Sequence, residues 1–164
     1  MHPVNLKAQL IMKKLVVFVA FIALVIGCSK DKFQTKPQIK IKKYNNREIG
    51  LNAPLVVTLE ITDKEGDVDD SLFVFRQRLN VNRPSASVPF RYDIPSFPDK
   101  PTAEVEVVFP YSTSLVAGLS RIEISNTNPR QYEKDTLVLK FIVKDKAGNV
   151  SDTATSDRII VTRN

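Results

Sequence analysis

Leu55–Thr62 reads LVVTLEIT and Thr136–Lys144 reads TLVLKFIVK. In each, alternate residues are large and apolar: Leu55, Val57, Leu59 and Ile61 in the first, Leu137, Leu139, Phe141 and Val143 in the second. A period of two sends those side chains to one face of a pleated strand, a surface that β-branched and aromatic residues fit well. The alternation continues outward at Gln38–Tyr44 (QIKIKKY), Ala103–Phe109 (AEVEVVF) and Arg121–Ser125 (RIEIS). Leu72–Asn80 (LFVFRQRLN) starts apolar on both faces and ends polar, and shorter runs lie at Phe90–Ile94 and Asp157–Thr162. Leu115–Leu119 reads as a single helical turn interrupted by Gly118. About eight short strands with turn signals between them predict an all-β fold, one two-sheet antiparallel sandwich over residues 39–164. Val81–Thr102 holds five prolines and is expected to be a crossover between sheets or an exposed loop.

Two turns echo one another. Asp63-Lys-Glu-Gly-Asp-Val-Asp-Asp-Ser71 and Asp145-Lys-Ala-Gly-Asn-Val-Ser-Asp-Thr153 share the pattern D-K-x-G-[DN]-V-x-D-[ST], and each follows one of the two best strands. Aspartate at the first position and glycine at the fourth suit a type I turn. The second copy, with its alternating strand before and Ile-Ile-Val after, resembles the last hairpin of immunoglobulin-like and fibronectin-like domains of bacterial surface proteins. The resemblance makes Leu55–Thr62 strand B and Thr136–Lys144 strand F of an Ig-like sandwich of seven to eight strands, with the two turns as neighbouring B–C and F–G loops. The first turn crowds Asp63, Glu65, Asp67, Asp69 and Asp70 into eight residues. A hard cation such as Ca²⁺ would neutralise it, with Asp145, Asn149 and Asp152 completing the shell. It is not an EF-hand, since Val68 and Val74 stand where that loop needs glycine and glutamate. The same composition also serves as two solvated turns compensated by Lys64 and Lys146.

Phe90, Tyr92, Phe97 and Tyr111 flank the Pro-rich segment. They suit either a stacking platform for a glycan or protein partner, or a cover over the sandwich core.

The N-terminal stretch Met12–Cys28 reads MKKLVVFVAFIALVIGC: two lysines, twelve apolar residues (Leu15–Ile26), then Gly27 beside the single cysteine. As a helix the apolar run would measure about 18 Å, short against a hydrocarbon core of about 30 Å. Basic start, short apolar middle and small residue before the cut make an export signal. Val25-Ile26-Gly27-Cys28 resembles the lipobox of bacterial lipoproteins, in which the cysteine is acylated and becomes the first mature residue. That resemblance implies a signal peptide at 1–27, with Met12 a candidate start, a lipidated tether at 28–38, and an anchor in the bacterial cell envelope, expected at the outer membrane. Some Bacteroidetes-type lipoproteins carry several acids after the cysteine as a surface-export signal; here Asp31 alone lies between Lys30 and Lys32.

The formal charge of +6 shrinks on maturation, because the leader takes three lysines and no acids and so reduces 24 basic residues to 21 against 18 acidic ones. Such a balance does not call for a nucleic-acid partner. The only histidine, His2, leaves with the leader, and the only cysteine would carry lipid. A mature chain without either cannot build a Ser-His-Asp triad, a Cys-His pair or a histidine zinc site. The expectation is therefore a non-enzymatic module held to the bilayer through Cys28 and presenting loops to a protein or glycan partner. The alternatives are a structural accessory of an outer-membrane complex, a Ca²⁺-dependent adhesion or glycan-binding module, and a small carboxylate hydrolase using Asp99, Glu104 or Glu106.

Overall fold

The two strands that decide the fold each form the heart of a sheet. In the computed structural model, which describes residues 36–64, 68, 72–85, 87–94 and 101–164, β3 (Leu55–Thr62) is flanked by β1 (Gln38–Tyr44) and β6 (Thr102–Phe109), both antiparallel. The second sheet runs β2 (Glu48–Ile49), β11 (Ile159–Val161), β9 (Asp135–Val143), β4 (Leu72–Arg78), β5 (Val88–Tyr92), with β10 (Ala154–Thr155) pairing on β9. Only β2 against β11 is parallel among these pairs. In strand letters the sheets are A-B-E and A′-G-F-C-C′, the order of an Ig-like sandwich in which no strand D is found among the described residues. Residues Phe33–Asn164 make one unit. Among the described residues no helix is long and apolar enough to cross a membrane.

The predicted faces are the observed ones. Leu55, Val57, Leu59 and Ile61 are buried in one core cluster with Leu137, Leu139, Phe141 and Val143. Burial of this kind is the main driving force for a chain whose single cysteine gives it no internal disulfide. The Pro-rich segment contributes β5 as strand C′, where Pro89 is tolerated because its strand is an edge opposite Phe75.

Two expectations change. Arg121–Ser125 is not a sandwich strand; only β7 (Glu123–Ile124) forms, paired with β8 (Gln131–Tyr132) in a separate ribbon. Its alternation does not mark one core face, since Ile122 is buried while Ile124 is 39% exposed. The helical turn falls at Tyr111–Leu115 instead of Leu115–Leu119 and is of π type, with the N–H groups of Leu115 and Val116 reaching back to the carbonyls of Pro110 (3.2 Å) and Tyr111 (3.0 Å). Eleven strands are formed among the described residues, but four of them are only two residues long.

The sheets are offset along their strands. Phe109, at the end of β6, meets Phe141 edge-on at 6.2 Å, well up β9, and Tyr44, at the end of β1, accepts a hydrogen bond from the Asp157 amide at 3.1 Å. The inner face at the Arg76–Arg78 end of the second sheet therefore runs past the first sheet. The loop from Pro110 to Ile122 closes over it.

Candidate functional site

At one end lie the two echoing turns. Leu72 pairs with Val143, so the start of strand C stands beside the end of strand F and the B–C and F–G turns share an end of the sandwich. Gly148 has φ +93°, the conformation for which glycine is used in the turn. Asp145 is buried and both its oxygens serve its own turn: the Asn149 amide N–H donates to Oδ1 and Asn149 Nδ2 to Oδ2, each at 2.7 Å. Asp63, its counterpart, is also buried, and its backbone N–H donates to the Pro101 carbonyl at 2.9 Å. Glu65, Asp67, Asp69 and Asp70 lie outside the described residues, as do Phe97, Asp99 and Cys28. Among the described residues no group of three or more His, Cys, Asp or Glu is placed to hold a metal ion. The chain also enters here: Lys36 Nζ pairs with Asp152 at 2.6 Å, and Gln38 is paired with Thr62.

The aromatic residues have separate environments. Tyr92 packs edge-on against Phe109 at 5.3 Å, and Phe90 lies under the Arg76 guanidinium at 5.5 Å. Tyr111 donates its hydroxyl proton to the Thr162 carbonyl at 2.7 Å. All three are half-buried, and Tyr92 and Tyr111 pack on the core. Glu104 and Glu106 project outward from β6 as their alternation predicts.

The opposite end holds a group that the sequence reading passed over. Strand β4 alternates buried and half-buried residues along its whole length, so Arg76 and Arg78 occupy core-facing positions in line with Leu72 and Val74. Arg76 donates to the carbonyls of Ser114 (2.5 Å) and Ala117 (2.6 Å), and Arg78 to that of Ser120 (2.9 Å). Arg163, beyond β11, donates to the Leu119 carbonyl at 2.6 Å. Three guanidiniums thus fasten the π-turn loop to the exposed half of the second sheet. One carboxylate stands among them: Asp135, fully buried, pairs with Arg78 and lies 3.4 Å from Arg163 Nε. Burial pushes the Arg76 guanidinium below its ordinary range; Asp135 opposes the shift, and Arg163 and Arg78 add to it. Guanidinium groups suit this role because their planar donor forks bind carbonyls and carboxylates together and they are weakly hydrated for their charge. The parity of β4 was the one signal that could have found them.

Beside this cluster, Leu51, Asn52, Tyr111, Val116, Arg121 and Arg163 line a cleft of about 260 Å³. The Arg121 guanidinium stacks over the Tyr132 ring at 5.3 Å, which holds an exposed side chain in place.

Comparison with protein families and with curated proteins finds no match. Among solved structures the chain is similar to a solution structure described as a late embryogenesis abundant (LEA) protein, at 11% identity over 98% of this chain and 95% of that one, with a TM-score of 0.44.

Proposed function

We propose that this protein is a lipid-anchored lipoprotein of the bacterial envelope, held at the outer membrane through Cys28, and that its Ig-like sandwich is a non-enzymatic module for a protein or glycan partner. The observation that carries the reading is the sequence Val25-Ile26-Gly27-Cys28 at the end of an apolar run; the pairing of Lys36 with Asp152 marks where the tether meets the sandwich, at the end that bears the B–C and F–G turns. Lys36 lies eight residues beyond Cys28, a reach of about 26 Å at full extension. On this reading those turns face the bilayer, and the arginine end points away from it toward the partner. The tether lysines Lys30 and Lys32 suit a position close to anionic headgroups.

Labelling with an alkyne fatty acid tests the anchor. The expected result is acylation of Cys28 with loss of the leader, and release of the Cys28→Ala chain from membranes. An unmodified thiol on a chain that keeps Leu15–Ile26 would overturn the reading.

A calcium ion in the B–C turn is a second reading, favoured by one comparison between the two turns. In the F–G turn Asn149 donates to Asp145. The same position of the B–C turn is Asp67, so this sequence carries two carboxylates where the other carries an acid and an amide, a donor set of the kind that hard cations bind.

A further inference from the structure

Among the described residues β6 has a strand on one side only, so the backbone N–H and C=O groups that point away from β3 meet no partner strand. The connection that precedes β6 does not reach along this edge. Tyr92, at the end of β5, and Thr102, at the start of β6, both lie at the end that bears the B–C and F–G turns. A run from there to the level of Glu106 and back would take about 26 Å. The link from Ile94 to Pro101 covers about 23 Å at full extension and has also to cross between the sheets.

The side chains along the edge are of two kinds. Glu104 and Glu106 are exposed on the outer face, while Ala103 and Val105 on the inner face are only half-buried. Register sets Glu104 opposite Glu60, like charge against like, and Glu106 opposite Thr58. Glu60 has its own cation in Lys42, at 2.9 Å; among the described residues no cation lies within ion-pair distance of Glu104 or Glu106. The opposite edge of the same sheet already carries a strand of complementary kind. There β1 sets Lys40 opposite Glu60, with Ile39 and Ile41 opposite Ile61 and Leu59. The hydrogen bond to Glu60 raises the Lys42 ammonium above its ordinary range, and Glu104 adds to the shift from across the sheet.

We propose that the open edge of β6 receives an extended basic segment of a protein partner as a fourth strand, with Lys or Arg at alternate positions over Glu104 and Glu106 and apolar residues between them against Ala103 and Val105. Main-chain hydrogen bonds supply affinity in such strand addition, and the alternating side chains supply specificity. The same glutamates that refuse a second β6 select a strand of opposite charge. The inference deepens the reading of the sandwich as a module for a protein partner and rests on that part of it; it is independent of the anchor.

The experiment titrates the full chain in detergent with a blocked peptide of the β1 sequence QIKIKKY, with the same peptide carrying Ile41→Pro, and with one in which its three lysines are replaced by glutamate. The protein variant is Glu104→Lys/Glu106→Lys; both positions are exposed, and a lysine at 104 would face Glu60, so the variant is expected to fold. Wild type should bind QIKIKKY saturably, and roughly tenfold or more weaker once proline removes a backbone donor without changing the charge. The variant should lose QIKIKKY by a similar factor and gain the acidic peptide. No saturable binding, equal binding of the proline peptide, or unchanged affinity in the folded variant would overturn the inference. So would a partner that wild type and variant retain equally from envelope extracts, a result that leaves the module reading standing and places its partner on another surface.

Discussion

Replacing Asp135 by asparagine would leave Arg76, Arg78 and Arg163 around a neutral amide in a space that water does not reach. Breaking one partner of a buried ion pair strands the remaining charge, so Asp135→Asn is expected to cost about 3–5 kcal/mol in urea unfolding. The double variant Arg78→Met/Asp135→Leu should recover only part of that loss, because it removes the Arg78–Asp135 pair together but leaves Arg163 and Arg76 without their carboxylate. Tyr44 gives a pH signature. Burial raises its phenol above the ordinary value of 10.0, with the Asp157 amide hydrogen bond acting the other way. The folded state therefore holds the phenolic proton more tightly than the unfolded state. Its contribution is complete below the unfolded pKa and disappears as pH rises through the folded one. Stability should fall above about pH 10, and Tyr44→Phe should make that alkaline limb shallower in thermal melts.

Among the described residues β6 pairs only with β3, which leaves one edge with eight residues of open backbone. An open edge is a template for another strand, and charged side chains along it discourage pairing between copies. Glu104 and Glu106 project outward there, in register with Glu60 and Thr58. In an antiparallel pairing of two β6 strands across a twofold axis, glutamates would meet glutamates. The variant Glu104→Val/Glu106→Val should therefore associate into dimers or larger species by light scattering, while wild type does not. The B–C turn makes the second prediction at this scale. Asp67→Asn would restore the amide that Asn149 supplies in the F–G turn, and in chelator it should stabilise the protein by about 1 kcal/mol. If the turn holds Ca²⁺, millimolar calcium should raise the wild-type melting temperature and raise that of the variant less. No calcium shift in wild type would remove the cation reading.

Across the whole molecule, the register of β1 against β3 and of β4 against β9 places chain entry and both echoing turns together. The C–C′ turn lies at the other end, with Val81 93% exposed. A spin label at Val150→Cys, in the F–G turn, should relax strongly with a lipid-bound paramagnet. One at Val81→Cys should not. Equal relaxation at the two positions would remove the orientation proposed for the anchored domain.

Period-two alternation was enough to read β3 and β9, their buried faces and the all-β sandwich, because strand periodicity is local and each apolar face names its own side. The D-K-x-G pattern likewise placed a turn whose Gly148 has positive φ. What the tertiary structure alone decided depends on residues far apart in the chain. The offset of the two sheets leaves part of β4 uncovered by its opposite sheet, and a loop nearly forty residues later brings the carbonyls that let Arg76 be buried. A polar end of a strand read in isolation belongs in water. Only the loop folded over it supplies the carbonyl acceptors, and only the start of β9 the one carboxylate, that make burial of those charges tolerable.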